Sequence, residues 1–218
     1  MNSSDNSRFR YSTGVLPKKW KDNRIRKQRT ESNKIRKTIP TFEITKNKEK
    51  AIEKHQEMWE SKPEHEVWIY TDGSKKDKQA AIAWVQMEGD EQLEEEHGMR
   101  VPGEWSITKI EICAMGVALR DMRKLRKKKV RLFSDSMSGI TMIKEMKDEG
   151  DSASLWETIT DILNEWEEVK IVWVPGHTGV EGNKIADRIA KERRNRMLSE
   201  EGRWKMVDYE ENSNSLIK

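Results

Sequence analysis

Four carboxylates stand in places where an acid needs an explanation. Asp72 ends the apolar run of "EVWIYTDGS" and Asp135 ends that of "VRLFSDSMSGI", so each directly follows a short segment of strand-forming residues. For Asp135 two readings stand side by side. It could cap the helix-like run that follows, which Asp does well, or be placed at a strand end for chemistry. Glu111, in "ITKIEICAMGVAL", shares a helix face with Ala114, Met115 and Ala118 at i+3, i+4 and i+7, so its side chain points toward apolar packing. Asp187, in "GNKIADRIA", stands between Ala186 and Ala190 at the border of an apolar stripe. Acids in such positions are rarely buried unless they are paired or bind a metal.

If the two strands are sheet neighbours, Asp72 and Asp135 come close, because adjacent strands lie about 4.7 to 4.9 Å apart. Two unpaired carboxylates at that spacing repel, and one would keep its proton. A divalent cation removes the conflict. Carboxylates are the hard oxygen ligands that Mg²⁺ or Mn²⁺ takes, and four of them leave coordination sites for water and a substrate phosphate. Two such ions about 3.5 to 4 Å apart can activate a water and stabilise the leaving oxygen of an in-line phosphodiester displacement.

The elements that would carry these acids follow from periodicity. "EVWIYTDGS" and "QAAIAWVQM" read as two strands, "EEEHGMRV" as a third and more exposed one, and "VRLFSD" and "KIVWVPG" as two more. Helical spacing marks "SITKIEICAMGVALRDMRKLRKKK", with Ser106 as its N-cap, the run from Ser136 to about Lys147, the stripe Leu155, Ile159, Ile162, Leu163 and Trp166, and "NKIADRIAKERRNRM" after the Gly-rich loop "HTGVEG". The order βββαβααβα indicates a mixed α/β domain over residues 63–198. Residues 199–218 read as a polar tail.

The chain has 218 residues, 37% of them charged, with a net charge of only +3. The distribution is uneven: residues 1–62 hold 17 Lys or Arg against 8 Asp or Glu. With few apolar groups to offset the entropy of ordering, this segment reads as a basic, flexible arm or linker. A short helix around "KEKAIEKHQEMWESK" could use Ile52, Met58 and Trp59 as a docking stripe. A single cysteine, Cys113, rules out a disulfide framework and a thiolate metal cluster, which points to an intracellular setting, cytoplasm or nucleus, and away from secretion. No run reaches the roughly 18 apolar residues of a membrane span, so no membrane contact is expected.

The motifs "IYTDGS", "IEICAMGVAL", "LFSDSMSGI" and "WVPGHTGVEGNKIADRIAK" together resemble the four sequence blocks of the type 1 ribonuclease H family, in the family's order Asp, Glu, Asp, Asp. The texture is most similar to the ribonuclease H domain attached to non-LTR retrotransposon reverse transcriptases, and the resemblance covers residues 66–192. It implies a ribonuclease H-like fold, a five-stranded mixed sheet with helices on both faces, and cleavage of the RNA strand of RNA/DNA hybrids. It implies Asp72, Glu111, Asp135 and Asp187 as ligands of two Mg²⁺ ions, with Mn²⁺ as substitute, and decides the opening choice for Asp135 in favour of chemistry. It further implies that His177, on a mobile loop between glycines, assists proton transfer or product release. Gly73, Ser74, Thr108, Ser136 and Asn183 fall where the family contacts substrate, although Asn183 could equally be the N-cap of the last helix. A monomer is expected, with a reverse transcriptase as an upstream partner in one polyprotein.

The pattern departs from cellular members in two places. The Asn-Gln-type pair that reads RNA 2′-hydroxyls ahead of the Glu is Ile107 and Thr108 in this chain, and the additional basic helix that grips the hybrid is missing. "RKLRKKKVR", Arg123 to Arg131, has seven basic residues that could contact phosphates instead. Of the nine tryptophans, Trp84, Trp105, Trp156, Trp166 and Trp173 read as packing residues. Two alternatives remain at this level: a non-cleaving module that holds hybrid or duplex, and a two-metal DNA nuclease of the same fold.

Overall fold

The computed structural model describes residues 38–88, 91–92, 96–122, 125, 128–149 and 154–196. Among them run β1 (Thr41–Glu43), α1 (Lys48–Glu60), β2 (Glu66–Lys76), β3 (Gln79–Glu88), β4 (Glu91–Gln92), β5 (His97–Val101), α2 (Ile107–Met122), β6 (Lys129–Ser134), α3 (Met137–Glu149), α4 (Ser154–Leu163), β7 (Glu168–Trp173) and α5 (Glu181–Asn195). All strands join one mixed sheet in the order β1-β7-β6-β2-β3-β4, with β5 pairing β3 beside β4.

β1, β7, β6 and β2 are parallel to one another, and β2–β3 and β3–β5 are antiparallel. The central strand β2 buries Val67, Trp68, Ile69 and Tyr70 in succession, the continuous apolar run of a strand covered on both faces. On one face Val67, Ile69, Leu132 and Ile171 meet Ile110, Ala114 and Ala118 of α2, Ile140 of α3 and Ile159 and Ile162 of α4. On the other, Trp68, Tyr70, Phe133 and Val172 meet Ala186 of α5 and Met58 and Trp59 of α1. The five expected strands are β2, β3, β5, β6 and β7, and the expected helices on both faces are α2 to α5. The sheet gains β1 and β4, which at three and two residues are too short to leave a periodic signal.

Residues 38–62 depart from the reading of a flexible arm, because their order comes from non-local contacts. β1 lays Thr41, Phe42 and Glu43 beside Lys170, Ile171 and Val172 of β7. Thr38 donates its N–H to Asn164 Oδ1 at 3.0 Å and its hydroxyl to the Trp166 carbonyl. The expected docking helix is α1, capped by Asn47, whose side chain accepts from Lys50 N–H. Its inner stripe is wider than Met58 and Trp59: Ala51 is buried, and His55 lies 5.2 Å from the Phe133 ring and 2.8 Å from the Tyr70 hydroxyl. Residues 1–37 and the tail 197–218 lie outside the described residues.

Candidate active site

The parallel ladder of β2 and β6 pairs Thr71 with Ser134, so Asp72 and Asp135 follow side by side as the ladder ends. Three hydrogen bonds fix that end: Thr71 Oγ1 donates to the Phe133 carbonyl, Ser136 N–H to Ser134 Oγ, and Trp173 Nε1 to the Asp135 carbonyl at 3.0 Å. Asp135 is not the helix cap. Ser136 takes that role, its hydroxyl accepting from Gly139 N–H at 3.2 Å, just as Ser106 accepts from Lys109 N–H ahead of α2. The Asp135 carboxyl is thereby left for other partners.

Glu111 arrives from α2 on one face of the sheet, and it can do so because Gly73 follows Asp72. A Cβ at Gly73 would lie 2.9 Å from Ile110 Cγ2 and 3.0 Å from Glu111 Cδ, and a Cβ at Gly176 would lie 2.5 Å from Asp135 Oδ2. Contacts that short displace the neighbour, so both glycines clear space for a carboxyl. Asp72, Glu111 and Asp135 consequently offer oxygens that all lie within 4.8 Å of one another.

Burial and mutual repulsion raise these acids. Asp72 is pushed up to about 8, first by burial and then by the charges of Asp135 and Asp187, and Glu111 to about 9 by burial followed by Asp72 and Asp135. The Gly73 N–H opposes both shifts. Asp135 is also raised, chiefly by burial, with the hydrogen bond from Asn183 working against the shift. Glu111 Oε2 is buried and finds no hydrogen-bond partner among the described residues. Hard oxygens, an orphaned acceptor and acids raised by burial and by one another's charge together fit a divalent cation of the Mg²⁺ or Mn²⁺ kind, which favours the ionised forms.

From the opposite face α5 contributes one stripe: Asn183, Asp187, Lys191 and Arg194. Asn183 is buried and donates from Nδ2 to Asp135 Oδ2 at 3.2 Å. It does not cap α5, whose N-cap residue is Val180. Asp187 is electrostatically coupled to the other three acids, but stands outside the tight oxygen set and accepts from Lys191 Nζ at 2.7 Å. Arg194 donates to Ser74 Oγ at 2.8 Å, tying α5 to β2 two residues after Asp72.

The loop between β7 and α5 carries His177 at φ 58° and Gly179 at φ 93°. The left-handed region is unusual for a residue other than glycine, and it brings His177 near enough for its charge to act on Asp135. Thr108, at the start of α2, shares a 3.3 Å contact with Ser138 Oγ. The basic run lies elsewhere. Lys128 and Lys129 pair with Glu167 and Glu168 at the entry end of β6, about 20 Å from Asp135 at the rise of a strand, and Arg131, further along β6, pairs with Glu66. Arg123, Lys124, Arg126 and Lys127 lie outside the described residues.

The ribonuclease H family model matches residues 64–195. This chain belongs to the ribonuclease H family. The Pol polyprotein of equine infectious anemia virus (isolate 1369) is 30% identical over 187 residues, which is 75% of this chain and 15% of the polyprotein. A ribonuclease H of Polynucleobacter asymbioticus is 29% identical over 140 residues, 57% of this chain and 86% of that protein. Among solved structures, RNase H1 of the halophilic archaeon Halobacterium salinarum aligns with 20% identity and a TM-score of 0.47, covering 59% of this chain and 96% of that one. The chain thus spans about 15% of the length of the viral polyproteins it matches.

The sequence of this ribonuclease H-family chain offers Trp173 and Gly176 inside the block "WVPGHTGVEGNKIADRIAK" but does not show their role beside Asp135. Lys191 and Arg194 went unnoticed as site residues; Lys191 stands four residues after Asp187, a spacing visible in the sequence, whereas Arg194 acts through a contact with β2 that no local pattern shows.

Proposed function

We propose that this chain is a divalent-metal-dependent endonuclease that hydrolyses the RNA strand of RNA/DNA hybrids. The observation that carries the reading is the meeting of the buried Asp72 and Glu111 with the part-buried Asp135 within 4.8 Å, inside the segment that matches the ribonuclease H family. Asp72, Glu111, Asp135 and Asp187 would hold two Mg²⁺ ions, or Mn²⁺ in their place. Bound there, the ions supply charge neutralisation, an activated water and stabilisation of the leaving oxygen. Asn183 orients the Asp135 carboxyl through its amide. His177, on the loop before α5, would assist proton transfer or product release. Thr108 and Ser136 would contact the ribose side of the hybrid, and Gly73 and Ser74, which follow Asp72 within β2, would lie where the phosphate arrives.

The viral relatives are polyproteins, and the four sequence blocks resemble retroelement domains, so we further infer a retroelement origin of the non-LTR kind with a reverse transcriptase upstream in the same polyprotein. The test is cleavage of a labelled RNA strand in an RNA/DNA hybrid and of matched duplex DNA, with Mg²⁺, Mn²⁺ or chelator, beside a folded Asp135→Asn variant. Metal-dependent cutting of the RNA strand, lost in the variant, is expected. Binding without cutting in either metal would replace this reading with a holding module, and cutting of duplex DNA with a DNA nuclease.

A further inference from the structure

Lys191 is a cation seated beside an acid cluster that needs cations. Its ammonium lies 2.7 Å from Asp187 Oδ2, and Asp187 is the member of the four that stands outside the tight oxygen set. The influence of Lys191 extends beyond its partner. Its charge acts on Asp72, across the gap from α5 to β2, in the sense that favours the ionised form. The ammonium therefore offsets, in the metal-free protein, part of the repulsion that a divalent ion would otherwise relieve.

The pair is also easy to break. Lys191 is 47% exposed, and an exposed ion pair four residues apart on a helix is weak. The stem can swing into solvent when a dication arrives. Three other basic side chains of α5 are engaged elsewhere: Lys184 pairs with Glu181, Arg188 with Glu96 and Glu192, and Arg194 with Ser74.

We propose that Lys191 is a resident counter-cation of the carboxylate cluster, a positioning residue that holds Asp187 in the metal-free protein and competes with the divalent ion for it. The inference rests on the metal-binding reading above and deepens it. The ion position that uses Asp187 binds more weakly than the position built from Asp72, Glu111 and Asp135, because Lys191 must be displaced first. Loading of that second position then becomes the step that responds to metal concentration.

The experiment is a calorimetric titration of Mg²⁺, repeated with Mn²⁺, into the full chain as wild type, Lys191→Met, Lys191→Arg and Lys184→Met, with melting curves in chelator. Removing one positive charge near the acids is expected to tighten the weaker binding step about three- to tenfold. Lys191→Met should also melt lower than wild type in chelator and recover in saturating Mg²⁺. Lys191→Arg keeps the charge and should bind metal as wild type does. Lys184→Met removes a comparable pair away from the acids and should leave affinity unchanged. Unchanged or weaker metal binding in Lys191→Met would overturn the proposal while leaving the metal site standing, as would an equal effect in Lys184→Met. If wild type takes up no divalent ion, the metal-binding reading falls and this inference falls with it.

Discussion

At the residue scale the acids are defined by what their neighbours leave open. Asp72 and Glu111 sit in the fold at about 8 and about 9, while in the unfolded chain they ionise near pH 4. Between those limits the native state keeps protons that the unfolded state has given up, so metal-free stability is full below about pH 4 and declines as pH rises toward 8 to 9. The melting temperature in chelator should therefore fall from about pH 5 to pH 9, and the gain from added Mg²⁺ should grow over the same range. A flat profile in chelator would contradict the burial of these groups. Gly176→Ala is a second residue-scale case, since its Cβ would press on Asp135 Oδ2. Hybrid cleavage is expected to drop about 100-fold, the usual cost of misplacing a reacting group by an ångström, with far-UV circular dichroism unchanged.

The elements matter as carriers of these residues from two faces. α2 brings Glu111 from one side of the sheet and α5 brings Asn183 and Asp187 from the other, so the cluster forms where β6 ends. Asp72 does not end its strand, because β2 runs on to Lys76 paired with β3 after its ladder with β6 has stopped. α1 has no acid in the cluster, yet its His55, Met58 and Trp59 cover Trp68, Tyr70 and Phe133, the strand residues that lead to Asp72 and Asp135. Burial holds the His55 ring down to about 4, with the Arg131 charge adding to the effect, so it packs there as a neutral ring. Trp59→Ala should cost about 3 kcal/mol of stability, as large-to-small changes in aromatic packing do, measurable by urea denaturation. A chain starting at residue 63 should be less stable than one starting at 38, and more prone to associate through the uncovered aromatic face.

For the whole molecule, charge location outweighs net charge. The pairs formed by Lys128 and Lys129 sit at the entry end of the parallel strands, while the acids sit where the β2–β6 ladder stops. Lys128→Glu with Lys129→Glu is accordingly expected to leave hybrid affinity within about twofold, since exposed pairs contribute little and phosphate contacts act locally. Fluorescence anisotropy with a labelled hybrid at two salt concentrations measures this, and a large loss would move the hybrid toward that end of the sheet. Among the described residues no helix is long and apolar enough to cross a membrane.

The sequence by itself determined the parts of this protein that are local. The apolar runs of β2 and β6, the helical stripes of α2 and α5, and the carboxylates at their ends are written in spacing, because side-chain direction in strands and helices follows a fixed period. The same blocks carried the resemblance over residues 66–192, and the ribonuclease H family model matches residues 64–195. Tertiary structure alone decided the rest. That Gly73 and Gly176 clear room for carboxyls, that Asn183 of α5 reaches the Asp135 carboxyl, and that Arg194 ties α5 to β2 all depend on which surfaces meet. Residues 38–62 became part of the fold for the same reason. A three-residue edge strand and a weakly apolar helix have too little local preference to be legible, and gain their order from backbone pairing with β7 and from an aromatic surface that exists only once the sheet has formed.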